Sequence, residues 1–197
     1  MGTRNLTCVV KNGKIVVAQY GQWDGYPEGQ GATCCNFIRD SDLEKFSRNL
    51  DDVVELKQET ISERYASCGS DGSGWVNMTV AKKFDREWPW LSRDCGAEIL
   101  NWIYTGKCKE VVLSTYFAAD SLFCEFAYVL DMDREVLEFY TGFQQESHNK
   151  GRFAKMERED SSREYYPACL TLEIPFSEIK ERGAEALLEL TKEEEEL

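Results

Sequence analysis

The chain has 197 residues, of which 42% are hydrophobic and 12% aromatic, which is enough for one domain with its own core. Its 36 acidic residues outnumber its 23 basic residues, leaving a formal net charge of -13. A surface of this sign repels nucleic-acid phosphates and anionic lipids, so we expect neither nucleic acid nor a membrane as a direct partner. The sequence also lacks an apolar run of about 20 residues, the length needed to span a bilayer.

The N-terminal segment predicts a β-hairpin. Residues 3–10 and 14–20 are β-rich runs separated by Lys11, Asn12 and Gly13. An Asn-Gly pair between two such runs is a strong signal for a tight turn. Residues 21–31 then contain four glycines and a proline, so we expect the chain to leave the sheet in a loop.

The middle of the chain predicts helices. Apolar residues recur at helical spacing in residues 32–48 and 50–66, and residues 79–105 predict two more helical pieces broken at Pro89. Between these segments, residues 69–74 consist of Gly, Ser and Asp, which is typical of a loop.

The C-terminal third predicts a second hairpin and a further strand. Residues 123–130 and 136–140 are β-rich and flank an acidic turn, residues 169–174 predict another strand, and residues 177–191 predict an amphipathic helix. The polar residues 144–165 predict an exposed excursion. We expect the acidic tail, residues 192–197, to fray because negative charge lies at the unfavourable end of the helix dipole.

The order of these elements is hairpin, helices, hairpin, strand, helix. This order is typical of an α+β fold rather than of alternating strands and helices. The sequence therefore predicts a single α+β domain over residues 1–197, with a mainly antiparallel sheet built from two hairpins plus a further strand and packed with helices.

The eight cysteines are predicted to be reduced and buried. Cys8, Cys124 and Cys169 lie in strand-like runs, and no hydrophobic signal segment follows Met1, so we expect a cytoplasmic protein. The chain has no Cys-x-x-Cys motif and a single histidine, His148, which argues against a structural metal site. No cofactor is expected.

Residues 19–30 form the densest candidate site for a ligand or partner. Aromatic rings, amides and carboxylates lie there beside glycines that permit close backbone approach, on a loop that a hairpin holds in place. We expect Arg4, on the neighbouring strand, to pair with Asp24 or with an anionic ligand. The alternative is that the aromatic residues cap one end of the core. The candidate contacts are Arg4, Gln19, Tyr20, Gln22, Trp23, Asp24 and Tyr26.

Catalytic residues are not identified by the sequence. A nucleophilic triad needs a histidine, and His148 lies in the polar 144–165 segment, so a histidine-dependent mechanism is not expected. Asp24 and Glu28 form a carboxylate pair inside the candidate loop, but acidic residues are too common in this chain for the pair to be specific.

Two blocks of sequence resemble an uncharacterised family found in phages, prophages and some microbes. The first block joins Gly2-Thr3-Arg4 to the AQYGQWDGYPEGQG run of residues 18–31, and the second is the FCEFAYVLDMD run of residues 123–133. This resemblance implies no known activity.

A looser similarity is to N-terminal-nucleophile hydrolases, which begin with a catalytic Cys, Ser or Thr and a hairpin. Removal of Met1 here exposes Gly2, which has no side-chain nucleophile, and Thr3 would need one further cleavage. The similarity therefore implies a shared architecture without the chemistry.

Two functional hypotheses remain open. The first is a non-catalytic acidic interaction protein, such as a phage-encoded inhibitor of a host defence protein, that competes with nucleic acid for a basic cleft on a basic or nucleic-acid-binding protein. Its candidate acidic surface is Asp51, Asp52 and Glu55. The second is an amidohydrolase-like enzyme or a small-ligand-binding protein that uses residues 19–30, with Trp23 as a stacking platform. Neither hypothesis implies a particular oligomeric state.

Overall fold

The computed structural model describes residues 2–73, 75–157 and 164–195. Its strands form a sheet of five and a separate parallel pair, the latter made of β3 and β4. In chain order the strands are β1 Asn5–Lys11, β2 Lys14–Gly21, β3 Val54–Glu55, β4 Glu110–Val111, β5 Phe126–Asp131, β6 Val136–Thr141 and β7 Cys169–Pro175.

The five-stranded sheet has the spatial order β2-β1-β5-β6-β7. Neighbouring strands are antiparallel except at the centre, where β1 and β5 run parallel with Asn5 opposite Phe126. The sheet therefore joins two hairpins edge to edge and adds β7 at one side. This confirms the predicted α+β class with a mainly antiparallel sheet.

The turns of the two hairpins are tied to each other. Asn12 and Gly13 have φ of 53° and 71°, the positive values that a two-residue type I′ turn requires, which confirms the predicted N-terminal hairpin. The carboxylate of Asp133, in the turn of the second hairpin, accepts hydrogen bonds from the backbone N–H groups of Asn12 (2.8 Å) and Gly13 (2.7 Å).

Seven α-helices lie within the described residues. Five of them (α1, α2, α5, α6 and α7) pack with one face of the sheet to form the main core, whereas α3 and α4 share a small core of their own around Phe84. In chain order the helices are α1 Ala32–Asp40, α2 Leu43–Leu50, α3 Gln58–Ser67, α4 Met78–Glu87, α5 Ile99–Tyr104, α6 Phe176–Arg182 and α7 Glu185–Glu195.

Three predicted helices have different bounds in the structure. Residues 32–48 hold two helices because Asp42 caps the start of α2, its Oδ1 accepting from the backbone N–H of Lys45 at 2.9 Å. Residues 50–66 begin with a turn and β3, so α3 starts only at Gln58. Residues 177–191 are divided at Gly183, which has a φ of 64°. The predicted break at Pro89 is confirmed.

The predicted excursion of residues 144–165 is not exposed throughout. Phe153 is 1% exposed and packs in a second core on the sheet face opposite the main core. Beside it, Arg152 forms ion pairs with Asp131 and Glu138, which are 3% and 2% exposed. The polar composition of residues 144–165 predicted exposure to solvent, but part of this segment is held against the sheet because Arg152 pairs with buried carboxylates. Residues 158–163 of the excursion and 196–197 of the acidic tail lie outside the described residues.

All eight cysteines are free thiols, and all but Cys169 are buried. Burial raises the pKa of Cys35 and Cys95 to about 12 and that of Cys108 to about 11. These thiols are therefore protonated at neutral pH and act as small apolar core residues. Across the described part of the chain, no helix combines the length and apolarity needed to cross a membrane.

Candidate functional site

The candidate loop is fixed to the sheet by backbone contacts. The side-chain amide of Asn5 donates to the carbonyl of Trp23 (3.1 Å), and the backbone N–H of Gly25 donates to the carbonyl of Thr3 (3.0 Å). The hydroxyl of Tyr128 donates to the carbonyl of Gly25 at 2.8 Å. The loop is therefore a fixed feature of the β1–β2–β5 end of the sheet.

Position 2 has room only for glycine. A Cβ atom added to Gly2 would lie 2.2 Å from Cε3 of Trp23 and 2.5 Å from the carbonyl oxygen of Gln22, well inside contact distance. The nucleophile of an N-terminal-nucleophile hydrolase thus has no space at this position.

Arg4 pairs with Glu125 and not with Asp24, so the first of its two expected partners is wrong; an anionic ligand as its partner stays a prediction. Its backbone N–H and its Nε both donate to Oε1 of Glu125, at 3.1 and 3.3 Å, and its guanidinium lies 4.9 Å from the ring centroid of Phe123. Arg4 and Glu125 are the residues that immediately precede β1 and β5. Because these two strands pair in parallel with Asn5 opposite Phe126, Arg4 and Glu125 lie side by side. Arg4 is therefore a contact between strands rather than a loop contact.

Two of the predicted site residues, Gln19 and Gln22, contact the segment that follows α4, and a third, Tyr20, contacts Gln22. The side-chain amide of Gln19 donates to the carbonyl of Ser92 (3.2 Å), and the backbone N–H of Gln22 donates to the carbonyl of Arg93 (2.9 Å). The hydroxyl of Tyr20 donates to Oε1 of Gln22 at 2.6 Å. These contacts dock residues 92–93 against the end of β2.

The two large aromatic residues of the loop are half exposed, so each has one side against the protein and one side open to a ligand or partner. Trp23 is 48% exposed and donates from Nε1 to Oδ1 of Asp94 at 2.8 Å. Tyr26 is 53% exposed and contacts Phe126, with 5.8 Å between ring centroids. Asp24 is exposed, and its backbone carbonyl accepts from the N–H of Gln30 at 2.9 Å.

A cavity of about 780 Å³ lies between β2 and helices α3 and α4, and we call it the β2 cavity. Gln19 and Tyr20 line it from the sheet side, and Arg93 and Asp94 line it from the segment that binds Gln22 and Trp23. Its volume is in the range of about 300–1,000 Å³ that is usual for small-ligand sites. Of the predicted site residues, Gln19 and Tyr20 line the cavity; the others do not.

The lining of the β2 cavity carries two positive and two negative side chains, Lys82, Arg93, Asp85 and Asp94. Arg93 approaches Asp94 only to 3.8 Å, and both side chains are more than half exposed. Among the described residues, Lys82 and Asp85 have no ion-pair partner within 4.0 Å. Charged groups without close partners are therefore available to a ligand.

The pKa values of two tyrosines that line the β2 cavity, Tyr20 and Tyr65, depend on burial and on these charges. Burial raises the pKa of Tyr20, and the positive charges of Arg4 and Arg93 oppose that rise. Burial also raises the pKa of Tyr65, with a further contribution from the negative charge of Asp85, and Arg93 again opposes it. The charge of Arg93 thus acts on both the sheet side and the helix side of the cavity.

Sequence reasoning missed Tyr65, Lys82, Asp85 and Arg93. No spacing in the sequence relates α3 and α4 to β2, because their approach depends on backbone contacts such as Gln22 to Arg93. The available signal was weak: Lys82 and Asp85 are three residues apart on a predicted helix and so share a face.

The predicted acidic surface is partly neutralised. Lys11 Nζ lies 2.6 Å from Oδ1 of Asp51, and Lys109 Nζ lies 3.2 Å from Oδ2 of Asp52. Glu55 is exposed on β3, and no ion pair involves it among the described residues. Only one of the three carboxylates is therefore an uncompensated surface charge.

Within residues 2–73, 75–157 and 164–195, no group of three or more His, Cys, Asp or Glu side chains is placed to hold a metal ion. The binding groups of the β2 cavity are instead aromatic, apolar and singly charged side chains. Comparisons of the chain with protein-family models, with curated proteins and with solved structures found no match, so function is inferred from the site itself.

Proposed function

We propose that the protein binds a small zwitterionic ligand, an amino acid or a short peptide, in the β2 cavity. One observation carries this proposal: the cavity combines an apolar wall with two cationic and two anionic side chains. This develops the small-ligand hypothesis of the sequence analysis, with the site moved from the loop itself to the cavity beside it.

The apolar wall suits the body of such a ligand. It consists of side chains from α3, α4, the segments that flank α4 and the residue after β4, together with the rings of Tyr20 and Tyr65. Its aliphatic members are Ile61, Val76, Met78, Ala81, Leu91 and Val112. Removing apolar surface from water contributes about 25 cal/mol per Å². The exposed and flexible Met78 can adapt to side chains of different shape.

The charges favour a ligand that carries both signs. The four charged lining residues sum to zero, so a ligand with one charge would leave lining groups of the other sign desolvated and unpaired. A zwitterion can pair its carboxylate with Arg93 and its ammonium with Asp85. Arginine is well suited to the carboxylate because its guanidinium can donate two parallel hydrogen bonds.

The candidate loop has a positioning role in this proposal. Gln22 and Trp23 contact Arg93 and Asp94 through the 2.9 Å and 2.8 Å hydrogen bonds. They therefore set where the two charged side chains enter the cavity, whereas Tyr20 lines it directly.

The test is isothermal titration calorimetry with free amino acids and dipeptides. The comparison ligands are the N-acetylated amides of the same compounds, which keep the side chain and lose both charges. We expect a zwitterion with an apolar side chain to bind and its capped form to bind at least about tenfold more weakly. Asp85→Asn and Arg93→Gln should each weaken binding by about tenfold or more, because each leaves one ligand charge unpaired.

The matched controls are Arg86→Gln and Glu87→Gln. Both residues are exposed on α4, and neither lines the β2 cavity. The control substitutions therefore remove one positive and one negative charge, as the cavity substitutions do, but outside the cavity. Binding should be unchanged in these variants. The proposal is wrong if no zwitterion of the panel binds, or if the control variants lose as much affinity as the cavity variants.

A second candidate function is the acidic inhibitor of the sequence analysis, which stays a prediction. It is supported by the net charge of -13 and by the exposed, unpaired Glu55. Capture of a basic protein from the natural host that weakens steeply with salt, and that slows when Asp51, Asp52 and Glu55 are neutralised together, would favour it. Under that hypothesis Asp85→Asn should leave the capture unchanged.

A further inference from the structure

A second cavity, of about 420 Å³, lies where residues 26–28 and α7 meet strands β5, β6 and β7. We call it the threonine cavity, because Thr141, Thr171 and Thr191 contribute to its lining. It shares no lining residue with the β2 cavity. A ligand in the threonine cavity would therefore contact none of the residues that line the β2 cavity.

One side of the threonine cavity is aromatic. The rings of Phe126 and Phe139 are nearly parallel, with an interplanar angle of 14° and centroids 5.9 Å apart. Tyr26 leans on Phe126 at 51° and is half exposed. Phe139 is only 2% exposed, so Tyr26 and the partly buried Phe126 form the apolar surface that a ligand can reach.

The other side of the threonine cavity is rich in hydrogen-bond acceptors. The hydroxyl oxygens of Thr141 and Thr171 lie 2.9 Å apart, so one donates to the other and lone pairs remain on both. The hydroxyl of Thr191 donates to the carbonyl of Leu188 at 3.2 Å and likewise keeps acceptor capacity. These oxygens can accept hydrogen bonds from a ligand.

Two opposite charges complete the lining. Glu28 contributes a carboxylate that accepts hydrogen bonds, and Lys192 contributes an ammonium group that donates them. Because the two charges cancel, a ligand with a net charge gains little from the pair. A neutral ligand with several hydroxyl groups can use both.

We propose that the threonine cavity binds a neutral carbohydrate ring. The apolar C–H face of a pyranose fits against the rings of Tyr26 and Phe126, while its hydroxyls donate to the threonine oxygens and to Glu28 and accept from Lys192. A planar aromatic ligand would cover the rings but would leave these polar groups unmatched. The observations therefore favour the sugar.

The test is titration of the isotope-labelled full chain with D-glucose, D-galactose, N-acetylglucosamine and their disaccharides, followed by NMR. Single sugar rings bind proteins weakly, so affinities near the millimolar level, about 4 kcal/mol, are sufficient support. We expect saturable shifts at Thr141, Thr171 and Phe126 with at least one of these sugars. No comparable shifts should occur at the lining of the β2 cavity.

Two substitutions separate binding from folding. Tyr26→Ala removes an exposed ring, and Thr171→Val removes one hydroxyl at nearly constant volume, so both variants should fold. Each should reduce affinity by about fivefold or more. The control Thr79→Val makes the same change at an exposed position of α4 that lines neither cavity. Absence of saturable shifts with every sugar would overturn the proposal, and so would binding of free indole or of amino acids at these residues in place of sugars.

Discussion

At the scale of single residues, the guanidinium of Arg152 lies between two carboxylates that the fold has removed from water. Its Nη2 is 2.8 Å from Oδ2 of Asp131, and its Nε is 2.7 Å from Oε2 of Glu138. Tyr140 donates a further hydrogen bond to Glu138 at 2.6 Å. The hydrogen bond to Glu138 is the main cause that raises the pKa of Arg152 above its ordinary value. Arg152 thereby anchors the 144–157 segment to the sheet.

Replacing Arg152 with methionine should destabilise the fold by about 3–5 kcal/mol, because it leaves the buried Asp131 without a cation and the buried Glu138 with only the half-exposed Arg134. The measurement is equilibrium unfolding in urea. Arg134→Met is the control: Arg134 also contacts Glu138, at 3.2 Å, but its side chain is 52% exposed, so its loss should cost about 1 kcal/mol or less. Equal losses in the two variants would contradict the anchoring role of Arg152.

Long-range partners of single residues could not be predicted from the sequence. Arg4 was correctly identified as a residue with a charged partner, but the partner is Glu125, 121 residues away, and not the nearby Asp24. Composition shows that charges exist; it does not show which strands become neighbours. Arg152 was missed for the same reason, since the acids that bind it lie on β5 and β6.

At the scale of elements, the carboxylate of Asp133 links the turns of both hairpins. Two backbone N–H groups, of Gly13 first and of Asn12 second, lower its pKa below the ordinary value of 3.8. A carboxyl group whose pKa is lower in the folded state than in the unfolded state stabilises the fold. This stabilisation is complete when the pH is above the pKa of the group in the unfolded state. This contribution is lost as the pH falls through the folded-state pKa.

Asp133→Asn should therefore lower the free energy of unfolding at neutral pH, and its difference from the wild type should shrink as the pH falls below 3.8. Urea unfolding measured as a function of pH tests this. The control is Glu135→Gln, which removes one charge from the same turn without removing those backbone hydrogen bonds. A difference that persists unchanged in acid would refute the link.

Elements with a local signal were predictable, and interruptions were not. The Asn12-Gly13 turn, the acidic second turn and the Pro89 break all depend on neighbouring residues, and all three are found. The breaks at Asp42 and Gly183 were missed because a short interruption leaves the apolar periodicity on either side nearly unchanged. The β2 cavity was missed because it needs α3 and α4 to lie opposite β2, which no local pattern in the sequence indicates.

At the scale of the whole molecule, buried thiols and phenols make the fold sensitive to alkali. Burial raises the pKa of Cys35 and Cys95 to about 12 and places that of Tyr128 well above its ordinary value. Above the ordinary thiol pKa of 9.0 the unfolded chain ionises while the folded chain does not. Ionisation then favours the unfolded state.

The free energy of unfolding should therefore be constant from about pH 7 to about pH 8 and fall progressively from pH 9.0 towards about pH 12. Urea unfolding with a reductant present measures it. Cys35→Ala should make the decline shallower, whereas Cys169→Ala, at the least buried cysteine, should change it less. A flat profile through pH 11 would show that the thiols do not control stability in this range.

The parallel pairing of β1 with β5 also constrains how the chain folds during synthesis. The N-terminal hairpin is made early, but its inner edge stays unpaired until Phe126 has been added. At about 5–20 residues per second, the wait from Gly21 to Phe126 lasts roughly 5–21 s. During that time β1 presents open backbone groups and the apolar side chains of Leu6 and Val9 to other strands. Nascent chains are therefore most prone to aggregate, and most dependent on chaperones, before the second hairpin emerges.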